Sequence, residues 1–319
     1  MRPGARRRRI MSTVVPRFSA AGGTLRAVRV HLFDGTYELF RAWFGAPPAQ
    51  HQGREVGAAR VVLRSLAKLL DSGAVTHGGV AYDHVIESFR NDLFPAYKSG
   101  EGLEPRLFAQ FPLAERAAAA LGLVVWPMVE FEADDAIATA AARCAADPRV
   151  DQVVIAAVDK DMCQCVIGER VVCWDRWKDV TLDEAAVIAK HGVAPASIPD
   201  LLALVGDTAD GIPGLPGWGK ASAAKVLSAW KQLALIPDDP ATWGVPVRGA
   251  DRLAAALRDQ RDDATLYRVL ATLRLDCPIP CDPDALRWRG PDPVALASIC
   301  ADLGIDPASV RLRAPTSSA

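Results

Sequence analysis

Residues 28–36 read Val-Arg-Val-His-Leu-Phe-Asp-Gly-Thr. An apolar run of strand length that stops at an aspartate and a glycine reads as a buried strand delivering an acid at its carboxyl end. Further strand-length apolar runs lie at 79–82, 123–126, 153–158 and 171–174, with helical patterns at 56–70, 113–121 and 136–145 among them. Strands alternating with helices predict an α/β core, a mostly parallel central sheet flanked by helices, Rossmann-like in plan. Beyond about residue 182 the strand signals stop. The remainder reads as helices at 183–191, 197–205, 221–230, 252–258 and 264–273, with a Pro-rich connection at 236–247. The expected layout is a disordered arginine-rich tail over 1–25, a core over 26–185 and an all-helical subdomain over 186–310.

Three predicted strands lead into aspartates: Phe33-Asp34-Gly35, Tyr82-Asp83-His84 and Val158-Asp159-Lys160-Asp161. Ligands of open α/β sheets bind outside the carboxyl ends of strands, so acids placed there converge on one crevice. Glu132-Ala-Asp134-Asp135 precedes the helix at 136, and Gly206-Asp207-Thr-Ala-Asp210 lies further on. One acid at a strand end is commonly a helix cap or a turn former. Nine acids in five groups are another matter. Brought together unpaired, they repel or take up protons, and divalent cations relieve both. Oxygen ligands without His or Cys point to Mg²⁺ or Mn²⁺. Two such ions ~4 Å apart suit phosphodiester hydrolysis. The histidines, at 31, 51, 77, 84 and 191, fall in no nucleophile motif.

The net charge of -1 conceals an uneven distribution. Residues 1–10 hold five arginines, leaving 32 basic against 38 acidic residues elsewhere, and nine of those acids are the ones just named. Local placement of charge therefore decides whether nucleic acid is a partner. Seven cysteines without a C-x-x-C pair read as small buried hydrophobes of a reducing compartment. No apolar run approaches the ~18–20 residues of a membrane span, so a cytoplasmic, nucleoid-associated monomer is expected. The acid-free, arginine-rich start leaves an organelle address or a later start codon as alternatives.

In order along the chain, these blocks resemble the 5′ nucleases that form the N-terminal part of bacterial DNA polymerase I, relatives of flap endonucleases with a PIN-like core. The resemblance runs from about residue 30 to 279. Its blocks are Leu32-Phe-Asp34-Gly-Thr-Tyr-Glu-Leu-Phe-Arg41, Val80-Ala-Tyr-Asp83 on to Phe89-Arg90 and Tyr97-Lys98-Ser99, and Phe131-Glu132-Ala-Asp134-Asp135. Val158-Asp159-Lys160-Asp161-Met162 and Leu204-Val-Gly206-Asp207-Thr-Ala-Asp210 follow, then Ile212-Pro-Gly214-Leu-Pro-Gly217-Trp-Gly219. The resemblance implies a first metal site of Asp34, Asp83, Glu132 and Asp134. It implies a second of Asp159, Asp161, Asp207 and Asp210, with Asp135 in support. It implies catalytic Arg90 and Lys98 and a stacking Tyr97 at the base of a short helical arch near 89–112, with Arg41 as a phosphate contact. The glycine hairpin, a helix-two-turn-helix over 205–230, would hold duplex DNA through Gly214, Gly217, Gly219, Lys220, Ser222 and Lys225, with a K⁺ ion against the backbone. Implied substrates are flap, nicked or 5′-ended DNA, with RNA–DNA hybrids as a further candidate.

The sequence departs from the family pattern in places. Glu101 stands where the arch block has arginine, Gly211 replaces an Asn, and Lys220 comes one place early with Ala221 in the lysine position. These changes leave every implied metal ligand in place. The alternatives are a PIN-type ribonuclease, which lacks the glycine hairpin and helical second half, and a junction-binding protein without catalysis, which would lack acids.

Overall fold

The computed structural model describes residues 28–312, so the arginine-rich tail lies outside the described residues. The strands are β1 (Val28–Asp34), β2 (Gln50–His51), β3 (Arg54–Glu55), β4 (His77–Asp83), β5 (Val124–Met128), β6 (Val150–Ala156), β7 (Val171–Asp175) and β8 (Val180–Leu182). The helices in the strand-bearing part of the chain are α1 (Gly35–Gly45), α2 (Gly57–Asp71), α3 (Phe89–Leu93), α4 (Pro105–Phe108), α5 (Phe111–Ala120) and α6 (Ala133–Ala146). After them come α7 (Glu184–His191), α8 (Ile198–Val205), α9 (Lys220–Trp230), α10 (Ala250–Asp259), α11 (Arg261–Ala271), α12 (Pro283–Leu286) and α13 (Pro293–Leu303).

The main sheet runs β5-β4-β1-β6-β7-β8 and is parallel apart from the antiparallel β7–β8 edge. β2 and β3 pair separately as a small hairpin. Alternation along β1 sends Val30 and Leu32 to one face and Phe33 to the other, each into its own apolar core. α2 buries Val62, Leu63, Leu66 and Leu70 on one stripe against the Phe33 face. Each such side chain contributes about 1.5–3 kcal/mol. On the opposite face, α6 presents Ala136, Ile137, Ala140 and Ala141, whose small size brings the helix close against the sheet. That core continues without a break into α8, α9 and α11.

The expected parallel sheet and the helical second half are both present. Three boundaries differ. β6 ends at Ala156, so Asp159 sits in a loop three residues past the strand, before the 3₁₀ turn Asp161–Cys165. β8, three residues long, was too short to leave a periodic signal. The chain assigned to the helical subdomain also returns to the α/β core at its end. Trp288 N donates to Thr76 O at 2.8 Å, Asp292 N donates to Ala120 O at 3.0 Å, and Leu296, Ile299 and Leu303 of α13 join the α2–α5 core. The seven cysteines are free, and all but Cys165 are buried, as small hydrophobes would be. Among the described residues, no helix is long and apolar enough to cross a membrane.

Candidate active site

The order of the central strands places the ends of β4, β1 and β6 side by side, and the acids that follow them face one another there. Asp34 caps α1, its Oδ1 accepting from Tyr37 N at 2.8 Å. The capping bond engages one of the two carboxylate oxygens. Asp83 Oδ1 accepts from Ala133 N at 2.7 Å, tying the end of β4 to the start of α6. Thr36 Oγ1 accepts from Asp83 N at 2.8 Å, joining that strand end to α1.

Charge repulsion links the acids into one network. Burial, then the charge of Asp159, push the Asp34 carboxyl well above the usual carboxylate range. Burial and then Asp161 and Asp34 do the same to Asp134. Asp161 is pushed up to about 8 by burial, Asp210 and Asp159, and Asp210 to about 6, chiefly by burial against the pull of Lys98. Burial also raises Asp83 and Asp159, with Lys98 opposing in both. Asp134 responds to Asp161 before Asp34, and Asp34 to Asp159 before Asp83. The two implied metal sets therefore interleave at Asp134 and Asp34.

Three acids of this network are offset by lysines. Lys98 Nζ lies 2.6 Å from Glu132 Oε2 and 3.8 Å from Asp210 Oδ1, and Lys160 Nζ lies 2.7 Å from Asp207 Oδ2. Burial works against ionisation of Glu132, but Lys98 and Arg90 outweigh it and hold this carboxyl below its usual range. No cation stands within ion-pair distance of Asp34, Asp83, Asp134, Asp159 or Asp161 among the described residues. Asp134 Oδ1 is buried with no hydrogen-bond partner. A buried carboxylate oxygen without a partner is costly, and a cation removes the cost. The donor set therefore fits a hard divalent ion. Among the described residues no three acidic, His or Cys side chains are already drawn around one point. The carboxylates stand near one another without closing on a point, which suits an ion that keeps several waters and takes one or two carboxylates directly.

Three residues read as catalytic or DNA-binding are placed otherwise. Arg90 is 1% exposed and forks onto Asp135, with NH1 and NH2 each at 2.7 Å from a carboxylate oxygen. It also donates to Glu132 Oε1 at 3.1 Å and to the carbonyls of Leu270 and Thr272 at 2.8 and 3.2 Å. Asp135 meanwhile accepts from Glu132 N and Arg274 N at 3.0 and 2.8 Å, so both its oxygens are committed. The pair joins α3, the start of α6 and the end of α11. Neither residue is available to phosphate or metal. Tyr97, 5% exposed, has its hydroxyl 3.5 Å from Glu132 Oε2 and presents no open ring for stacking. An arginine held by a carboxylate 45 residues away looks, in sequence, the same as one facing solvent.

Lys98 does reach the pocket. Its backbone N donates to Asp210 O at 3.1 Å, and Gly211, at φ +71°, makes room for the approach. A Cβ on Gly211 would meet Ala96 O at 2.6 Å. The glycine in place of Asn thus lets the arch base dock on the last acid block. Residues 89–112 hold the short helices α3 and α4, with turns between them, and the start of α5.

In the glycine hairpin, Gly214, at φ +70°, brings the chain against Gly206, where a Cβ would meet Gly206 N at 2.4 Å. Ser222 Oγ accepts from Gly219 N at 3.1 Å and starts α9. A groove of about 420 Å³ here is lined by Gly217, Gly219, Lys220, Ser222, Lys225 and Arg248. The three cations make no ion pair among the described residues. Arg248 was missed as a groove residue because the Pro-rich connection hides its return to the hairpin. Arg41 stacks on Trp177, its Cζ 3.4 Å from a ring centroid.

Buried acids coupled through their charges on the carboxyl edge of a parallel sheet, five of them without an ion-pair partner among the described residues, with a cationic hairpin beyond them, are the layout of a nuclease. Residues 29–192 match the 5′–3′ exonuclease N-terminal resolvase-like domain, and residues 193–294 match the 5′–3′ exonuclease C-terminal SAM fold. The chain belongs to the 5′–3′ exonuclease family. It is 36% identical over 268 residues to DNA polymerase I of Rhizobium leguminosarum, covering 80% of this chain and 26% of that protein. To DNA polymerase I of Pseudomonas aeruginosa it is 34% identical over 282 residues, covering 85% and 30%. The chain thus spans about 26–32% of the length of the first of these relatives. Among solved structures, T5 5′-exonuclease with bound zinc superimposes with a TM-score of 0.63 at 18% identity, covering 86% of this chain and 98% of that one. The catalytic core of Rad2 in complex with DNA substrate gives 0.58 at 14%, covering 90% and 91%. At these identities the structural likeness shows the shared fold.

Proposed function

We propose that this chain is a structure-selective 5′ nuclease that hydrolyses DNA at flaps, nicks or free 5′ ends, in replication or repair. The buried Asp134 Oδ1 without a partner, among carboxyls pushed up by burial and then by one another's charge, is the observation that carries this reading. Asp34, Asp83, Glu132 and Asp134 would hold one Mg²⁺ or Mn²⁺ ion, and Asp159, Asp161, Asp207 and Asp210 a second. When bound, such a pair supplies a more acidic water and neutralises charge on phosphate and leaving oxygen.

The protein's own contribution is placement. Tyr37 N and Ala133 N orient the Asp34 and Asp83 carboxylates through the bonds described above. Lys98, at 22% side-chain exposure on the pocket rim, offers its ammonium to the phosphate that enters. Duplex DNA would lie across the hairpin groove, its phosphates met by Lys220, Lys225, Arg248 and the N–H groups that open α9. A K⁺ ion at the hairpin turns would serve the same backbone. These contacts read no base, as cleavage by structure requires. The working form would be a monomer in the cytoplasm.

A product-length assay on 5′-end-labelled flap, nicked and blunt DNA tests the reading. With Mg²⁺, flapped and nicked substrates should yield short labelled products, and chelation should stop the reaction. Cleavage that persists in chelator, or that acts on single-stranded RNA in preference to flapped DNA, would refute it.

A further inference from the structure

We propose that Trp177, in the turn between β7 and β8, is a positioning residue that holds the Arg41 guanidinium ready for a backbone phosphate of bound nucleic acid. The inference rests on the nuclease reading above. Arg41 lies seven residues along the chain from Asp34, the N-cap of α1. At 1.5 Å per residue this is ~10 Å from the acid pocket, or roughly three nucleotide steps at 3.4 Å each. Tyr37, one turn earlier on the same face of α1, stands between the two.

The guanidinium of Arg41 is stacked but not used. Its Cζ is 3.4 Å from the Trp177 ring centroid, and among the described residues it has no carboxylate within ion-pair distance. Stacking on an indole favours a flat guanidinium with its N–H edges pointing outward, the geometry that meets a phosphate with two donors. Arg176, 4.4 Å from the Trp177 ring, has a different task. Its Nε donates to Glu38 Oε1 at 2.8 Å and its NH2 reaches Ser65 Oγ, with side-chain exposures of 8% for Arg176 and 4% for Glu38. One arginine anchors the turn and the other keeps its donors free.

The turn is built to hold the ring still. Asp175 Oδ1 accepts from Trp177 N and Lys178 N, both at 3.1 Å. Asp179, at φ +54°, closes the turn and accepts from Trp174 Nε1 at 3.2 Å. β7 runs parallel to β6 in the same sheet, so this turn follows the carboxyl end of β7, on the edge of the sheet that carries the acid pocket. A tryptophan 40% exposed at such a turn needs a reason, and Arg41 supplies one.

The test is a double-mutant cycle read by binding of full-length protein to 5′-flap DNA without divalent ions, over a series of salt concentrations. R41A should weaken binding about tenfold and reduce the salt slope by about 0.9, the value of one phosphate contact. W177A should weaken it about three- to fivefold, W177F should restore most of the loss, and the double variant should match R41A alone. In steady-state cleavage, W177A should raise KM, W177F should bring it back close to the wild-type value, and kcat should stay within about twofold in both. Independent effects that multiply in the double variant, or a W177A loss that W177F fails to rescue, overturn the proposal. If W177A does not fold, W177L replaces it in the cycle with the same expectations. Failure of the wild type to bind flap DNA at all would instead sink the nuclease reading, so the two failures are distinguishable.

Discussion

Asp134→Asn lowers the cleavage rate about a thousandfold while making the metal-free protein more heat-stable at pH 8. The first effect follows from removing one carboxylate from a set whose ions stabilise several kcal/mol of transition-state charge, at about 1.36 kcal/mol per tenfold. The second follows from the buried oxygen without a partner: asparagine removes a buried charge that no hydrogen bond to that oxygen meets and that Lys98 opposes only in part.

The pH dependence has a definite sign. Asp34, Asp134 and Asp161 have folded-state values above the unfolded carboxylate range, that of Asp161 being about 8. Groups raised in this way hold protons more tightly when folded. Their contribution to stability is complete below about pH 4 and is lost as pH rises through the folded value. Metal-free protein should therefore melt at progressively lower temperature between pH 4 and 8. Mg²⁺ should raise the melting temperature more at pH 8 than at pH 6, where protons compete for the same oxygens. Asp134→Asn should lose most of that metal response. Thermal melts at the two pH values, with and without Mg²⁺, check this; an equal Mg²⁺ effect in wild type and variant would count against Asp134 as a ligand.

Arg90→Ala should destabilise the protein by about 3–5 kcal/mol, the usual result of stripping one partner from a buried ion pair. In a chain of this size that is a fall of roughly 10 °C in melting temperature. The removed guanidinium serves the Asp135 carboxylate, Glu132 and the carbonyls at the end of α11, so its loss leaves several buried polar groups without partners. Glu132 and Asp134 flank this joint, and cleavage should fall through their displacement. Were Arg90 a phosphate contact, the variant would melt as wild type and lose only activity.

Which parts of this architecture were legible depends on how local each signal is. Strands such as β1 and β4 announced themselves because a buried parallel strand is largely apolar and here stops at an aspartate, even with Arg29 and His31 inside β1. The same property blurred the end of β6, where Ala156-Ala157-Val158 continues the apolar run past the last paired residue. The pocket acids were legible because strand order brings their blocks together. What their neighbours do was not. Arg90, Tyr97 and Lys98 lie within nine residues of one another, yet only Lys98 keeps its charge at the pocket rim. The fold turns Arg90 onto Asp135 and buries Tyr97, a choice set by packing against α11 and carried by no local pattern. α13 escaped notice because Pro293–Leu303 is apolar on most sides and sits far from any motif.

The central claim is that acids from separate parts of the chain share one pocket made tenable by divalent ions. Anomalous scattering from crystals grown with Mn²⁺ tests it most directly. Two peaks about 4 Å apart are expected, one on the Asp34–Asp83 side and one on the Asp161–Asp210 side, with Asp134 between them. Manganese found only at scattered surface sites, with the Asp134 carboxylate bonded to protein alone, would contradict the account.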